Sequence, residues 1–310
     1  MRAAPSGLNG PAGPSATVLA LMPGLFVLIW STGFIVARYG MPHAPPMGFL
    51  AWRYALSVAV FGLWIVLTRA PWPQGRTQWV HLAATGVLMH AGYLGCVWAA
   101  VKAGAGAGIV ALIVGLQPVL TALWVSASGS EQRVSLTRWL GLALGLLGLL
   151  LVVWRKLDVG EIGLHTLLLS GAALLSITAG TLYQKRFLSP CDVRTANTVQ
   201  LLAALVVTLP LALLETETVH WHPEMIGAMA WSVLALTLGG SSLLYLLIQR
   251  GAATRVSSLM YLVPPCTALL GWLLFDEVLG PAVWLGLGLT AAGVWLAVRP
   301  SGAPTPGRWG

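Results

Sequence analysis

The chain has 310 residues, 57% of them hydrophobic and only 8% charged, with a mean hydropathy of +0.82 and a formal net charge of +8. Soluble domains carry about 25% charged residues, so this composition excludes a chain that covers its surface with water-facing groups. The basic residues are dispersed along the sequence rather than clustered, which excludes a nucleic-acid-binding patch as the reason for the charge.

Residues 1–16 are rich in Pro, Gly, Ser and Ala and are expected to form a disordered tail. They do not read as a signal peptide, because the apolar run that follows is too long for a signal core and more runs come after it. Uncharged stretches of about 20 residues read as transmembrane helices. Ten follow, at 18–38, 47–68, 79–101, 106–127, 136–154, 162–184, 195–214, 225–248, 256–275 and 281–298. Continuous apolar runs without strict alternation predict helices and argue against a β-barrel. Residues 300–310 read as a second tail.

The first span carries Trp30 and the second Arg53. An arginine near a helix centre costs about 2.5–3.5 kcal/mol on insertion scales. It either snorkels or caps a neighbouring helix, or it faces a cavity and pairs with a solute carboxylate or phosphate. No Asp or Glu lies in any span, so Arg53 has no evident intramembrane partner, which favours the second reading. The third span carries His90, Tyr93 and Trp98. His90 reads either as a packing residue or as a titrating group in the pathway. Gln117-Pro118 interrupts the fourth span. In the fifth, Gly141, Gly145 and Gly148 make a flat face for helix packing, within the monomer or in a homodimer.

After a joint near 155–160, the sixth span carries Tyr183 and the seventh Gln200. The loop 215–224 contains His220 and His222 near carboxylates, and reads as a solvated loop rather than a metal site, since no third ligand of fixed geometry is evident. Tyr245 lies in the eighth span, and Tyr261, Pro264 and Pro265 in the ninth. Gly286 and Gly293 flatten the tenth. Cys96, Cys191 and Cys266 form no framework and read as small buried hydrophobes.

The second five spans echo the first about 147 residues later: Gly33 returns as Gly180, Gly104-Ala105 as Gly251-Ala252 and Pro118 as Pro265. Beyond Pro118 the offset is 145, carrying Trp139-Leu140-Gly141-Leu142 onto Trp284-Leu285-Gly286-Leu287. A copy with an odd number of crossings leaves the next one upside down. The expected fold is therefore an all-α membrane protein of ten transmembrane helices in two inverted five-helix repeats, 17–155 and 156–299. Interruptions at matching places in two such copies point to a midplane binding site, although a static packing kink is the alternative reading. With the N-terminus inside, twelve Lys and Arg fall on inside segments and four on outside ones, so both termini are expected in the cytoplasm.

Several of these residues also carry a family resemblance: Trp30-Ser31-Thr32-Gly33-Phe34, Arg53-Tyr54, the proline-bearing fourth and ninth spans, and the run from Pro265 through Asp276-Glu277 to Gly286 and Gly293. In that order over ten spans, the chain resembles the EamA-type branch of the drug/metabolite transporter superfamily. It departs in one place: the first copy has Ser130-Glu131 where the second has Asp276-Glu277, and is two residues longer there. The resemblance implies transport of small metabolites, often export, and does not name the solute.

The expected function is secondary transport of an amino-acid-like or amphipathic, aromatic solute across the cytoplasmic membrane. Alternating access would work around a cavity lined by Arg53, His90, Trp30, Tyr93, Trp98, Gln117, Tyr183, Gln200, Tyr245 and Tyr261, with Pro118, Pro264 and Pro265 as helix breaks. Without acidic residues in the spans, facilitated diffusion or exchange is favoured, and proton coupling rests on His90. No cofactor, metal or nucleic acid is expected; the partners are the solute and membrane lipids. The alternative is a membrane-embedded enzyme acting on a lipophilic substrate, for which no Gly-x-Ser-x-Gly or HExxH motif is found.

Overall fold

The computed structural model describes residues 16–127, 136–158, 163–240, 243, 262–277 and 280–298. The two expected tails lie outside these residues, except that Ala16 opens the first helix. Among the described residues there is no strand, and five helices are long and apolar enough to cross a membrane: Leu21–Gly40, Pro46–Thr68, Arg76–Lys102, Leu164–Phe187 and Val193–Leu214.

In chain order, α1 is Ala16–Gly40 and α2 is Pro46–Thr68. The third span runs as α3, Arg76–Gly86, a π-helical stretch, Val87–Gly92, and α4, Tyr93–Lys102. Next come α5, Ala107–Val114, and α6, Gln117–Ala127, separated by a turn at Gly115 and Leu116. Then come α7, Leu136–Asp158; α8, Leu164–Phe187; and α9, Val193–Leu214. Helix α10, Pro223–Trp231, continues into a second π-helical stretch, Ser232–Gly240. Helices α11, Val263–Phe275, and α12, Pro281–Val298, complete the described chain.

Apolar side chains point both ways, as a lipid-embedded protein requires. Phe26, Phe49, Tyr54 and Trp98 are packed inside, while Val66, Leu213 and Leu214 stand outward and more than 70% exposed. Several hydroxyls inside the bundle are satisfied along their own helices: Ser31 donates to the Val27 carbonyl at 2.7 Å and Thr178 to that of Leu174 at 2.7 Å, whereas those of Ser57, Thr208 and Ser232 are buried without a partner. The glycine faces of α7 and α12 meet within one chain. A Cβ on Gly148 would come within 2.6 Å of the Gly286 carbonyl oxygen, and one on Gly293 within 2.5 Å of that of Gly141. The cysteines are free and half-buried, less enclosed than the sequence suggests.

At one end of the bundle the two halves are tied by polar contacts. Glu215, at the end of α9, accepts from the backbone N–H groups of Met47 at 3.0 Å and Gly48 at 2.8 Å. Its carboxylate therefore caps α2, whose N-cap residue, Pro45, has no side-chain cap for the first turn's donors. Glu277 does the same for α5, accepting from Ala107 N–H at 2.9 Å. Lys102 pairs with Glu217 at 2.6 Å and His43 with Glu224 at 2.9 Å. At the opposite end, Gln78 donates to the Ser189 carbonyl at 2.8 Å and Thr195 to that of Pro71 at 3.0 Å.

Candidate functional site

A cavity of about 100 Å³ lies between these two ends. Its walls come from α1 (Trp30, Gly33, Phe34), α2 (Arg53), the third span (Met89, His90, Tyr93, Leu94, Val97, Trp98), α8 (Ile177) and the second π-helical stretch (Leu236, Thr237). Apart from Arg53, His90, Tyr93 and Thr237, the lining is apolar or aromatic, the mix expected of a small-molecule pocket.

The backbone explains why polar groups can gather here. Both π-helical stretches fall at matching positions of the two halves: Val87–Gly92, shifted by 147, lands on 234–239, inside Ser232–Gly240. A π-turn widens the helix and leaves the ordinary i→i−4 pattern, and such turns concentrate at functional sites. Side chains of neighbouring helices occupy the carbonyls of the first stretch. The Tyr54 hydroxyl donates to His90 O at 2.8 Å, and Ser176 Oγ donates to Leu88 O at 2.8 Å. In the second stretch, Thr237 Oγ1 donates back to Ser232 O at 2.8 Å.

Arg53 is the dominant group. It is 7% exposed, and its guanidinium lies 5.4 Å from the Trp98 ring. Nε and Nη2 both donate to one neutral acceptor, Thr237 Oγ1, at 3.4 Å and 3.3 Å. Nη1 is buried without a hydrogen-bond partner, and so is Trp98 Nε1. His90 lies beside Arg53, Tyr54 and the Gln200 side chain. The site is therefore a buried cation beside the Trp98 indole, with donors left over and no carboxylate among the cavity-lining residues.

Of the residues expected to line a cavity, Trp30, Arg53, His90, Tyr93 and Trp98 come together in it. Gln200 stands one layer behind, against His90. Gln117 points elsewhere, donating to Thr181 Oγ1 at 2.8 Å. Tyr183 is bonded to His81 Nδ1 at 2.8 Å and packed on Phe187, away from the lining. Tyr245 and Tyr261 lie outside the described residues. Gln117-Pro118 opens α6 immediately after the break in span four, and Pro264 and Pro265 occupy the first turn of α11, where proline is tolerated. The two interruptions touch: a Cβ on Gly115 would come within 2.6 Å of Pro264 Cγ. The expectation of no third metal ligand near His222 needs correction. His43, from the loop before α2, joins His222 and Glu224, with one ligating atom of each within 4.8 Å of the others.

Sequence reasoning missed Gly33, Phe34, Met89, Leu94, Val97, Ile177, Leu236 and Thr237 as wall residues. For Thr237 a signal was available, since the repeat offset carries His90 onto it.

The profile of the EamA-like transporter family matches this chain twice, over residues 18–154 and 164–299. An Escherichia coli (strain K12) protein, "Uncharacterized inner membrane transporter YedA", is 28% identical over 284 residues, covering 90% of each chain. A Salmonella typhimurium protein, "Probable amino-acid metabolite efflux pump", is 24% identical over 284 residues, covering 88% of this chain and 92% of its own length. A protein of known crystal structure shares the fold with a TM-score of 0.63 at 17% identity, covering 91% of this chain and 98% of that one.

Proposed function

Since the chain belongs to the EamA-like transporter family, in which both halves match, we propose that it is a secondary carrier of a small organic metabolite. The solute binds in the Arg53 cavity and is reached alternately from either face of the cytoplasmic membrane. Two inverted five-helix repeats, ten spans and cytoplasmic termini complete this reading, supported by the 147-residue echo and the charge distribution. The observation that carries it is a buried arginine with an unpaired nitrogen lining a cavity whose walls come from both halves.

Export is the direction supported by the name of the Salmonella relative. Energy coupling by facilitated diffusion or exchange fits spans that hold no carboxylate, with His90 as the group on which proton coupling would depend. The relatives' names favour transport over a membrane-embedded enzyme. The deciding experiment loads proteoliposomes with a panel of radiolabelled small metabolites. Saturable flux with the solute chemically unchanged supports a carrier, and conversion of the solute to a product overturns it.

A further inference from the structure

Taking the Arg53 cavity as the solute site of the carrier proposed above, we propose that its solute is an organic monoanion. It has a carboxylate, an apolar or aromatic body and no free ammonium.

The unpaired groups of the cavity are donors. Arg53 Nη1 and Trp98 Nε1 are both buried and without a partner, and both side chains line the cavity. A buried donor left unpaired carries the full cost of its lost hydration, so a ligand that supplies acceptors recovers that cost. A carboxylate supplies two acceptor oxygens and one negative charge. The remaining Arg53 nitrogens donate to the neutral Thr237 hydroxyl, at 3.3 Å and 3.4 Å, so no negative charge among the cavity-lining residues offsets the cation.

A zwitterion fits this site poorly. The chain has nine Asp and Glu residues, and all nine fall between the spans. The carboxylates of Glu215 and Glu277 are committed to the first turns of α2 and α5. An ammonium carried into the cavity would sit near a like charge, in a setting of low polarity, with no carboxylate to pair it. Trp30, Phe34, Leu94, Val97 and Ile177 give the body of the solute an apolar bed.

The test compares four probes that share one phenyl-alkyl body: 3-phenylpropionate, phenylalanine, 3-phenylpropionamide and phenethylamine. The readout is the melting temperature of the purified full-length protein, which a ligand raises by mass action. The expected result is a saturable rise with 3-phenylpropionate at a concentration at least tenfold lower than for phenylalanine or the amide. Arg53→Gln abolishes that preference, and Trp98→Phe, which removes the indole N–H while keeping an aromatic ring beside Arg53, weakens it several-fold. Equal or tighter binding of phenylalanine or the amide overturns the proposal, as does an unchanged preference in both variants or no response to any probe. Flux separates this proposal from the carrier reading. Binding of 3-phenylpropionate without its flux defeats the carrier and leaves the ligand class standing. Phenylalanine flux faster than that of 3-phenylpropionate leaves the carrier and defeats the ligand class.

Discussion

Arg53 rests its guanidinium on the Thr237 hydroxyl at 3.3 Å, and the repeat carries this pair onto Gln200 and His90, which also lie together. Arg53 shifted by 147 is Gln200, and His90 shifted by 147 is Thr237. The same contact is therefore built twice, each time between a helix of one half and a π-helical stretch of the other. One copy carries a fixed charge and the other an amide with an imidazole. The frame of the site is close to symmetric, and its electrostatics are not.

That asymmetry predicts a trade between stability and function at Arg53. Its burial is compensated only by one hydroxyl and the face of Trp98. Replacing a poorly paired buried charge with an apolar side chain of similar length is often neutral or stabilising. Arg53→Met is expected to stabilise the ligand-free protein by about 1–3 kcal/mol, within the insertion cost of an arginine, while solute flux disappears. A melting temperature below that of the parent would show that the Thr237 and Trp98 contacts outweigh the desolvation.

The glycine seam between α7 and α12 predicts a sharp positional contrast. A Cβ on Gly148 meets backbone and the Thr290 hydroxyl at 2.6 Å, whereas one on Gly288, two residues beyond Gly286, meets nothing within 4 Å. Gly148→Ala is expected to destabilise by about 1–3 kcal/mol through overpacking, and Gly288→Ala to leave the melting temperature unchanged. Detergent-solubilised thermal melts of the two variants check this, and equal effects would contradict the seam.

How far the sequence reveals the site depends on what each helix presents. Arg53 was legible because a charge in a span is costly wherever it points, and the glycine seam because small residues recur on one face. Tyr183 and Gln117 were placed at cavity depth but turn away, towards His81 and Thr181. Depth follows from counting residues, but rotation about the helix axis does not when the helix is apolar all round. The π-helical stretches left no mark in an uninterrupted apolar run. The capping roles of Glu215 and Glu277 join residues 167–170 apart, beyond any local pattern.

Those caps give a third prediction. Glu215 satisfies two backbone donors at the start of α2, whereas Glu217 makes an exposed pair with Lys102. Glu215→Ala is expected to cost about 1–2 kcal/mol, in the range of a lost helix cap, and Glu217→Ala about 0–1 kcal/mol, as for other surface pairs. Chemical denaturation of both variants in mild detergent measures the difference, and a larger loss for Glu217→Ala would refute the capping role.

Asp192 supplies the pH dependence. It caps α9 by accepting from Arg194 N–H at 2.9 Å, while the Arg194 side chain donates to the same carboxylate through Nε at 2.9 Å and Nη2 at 2.6 Å. The Arg194 side-chain hydrogen bonds, with smaller help from the Arg194 and Thr195 backbone and the guanidinium charge, hold the Asp192 carboxyl below the usual carboxylate range against a partly opposing burial cost. A carboxyl whose folded value is depressed stabilises the fold above its unfolded value and loses that contribution as pH falls through the folded one. The parent protein is therefore expected to lose melting temperature on acidification below the ordinary carboxylate range more steeply than Asp192→Asn, which keeps a capping oxygen but cannot ionise. At neutral pH the variant should be weaker by no more than about 1 kcal/mol, because Asn keeps the cap and the partly exposed Asp192–Arg194 pair is screened by solvent. The two melting curves should converge at the acid end. Parallel curves over the whole range would show that the Asp192–Arg194 pair does not contribute to stability.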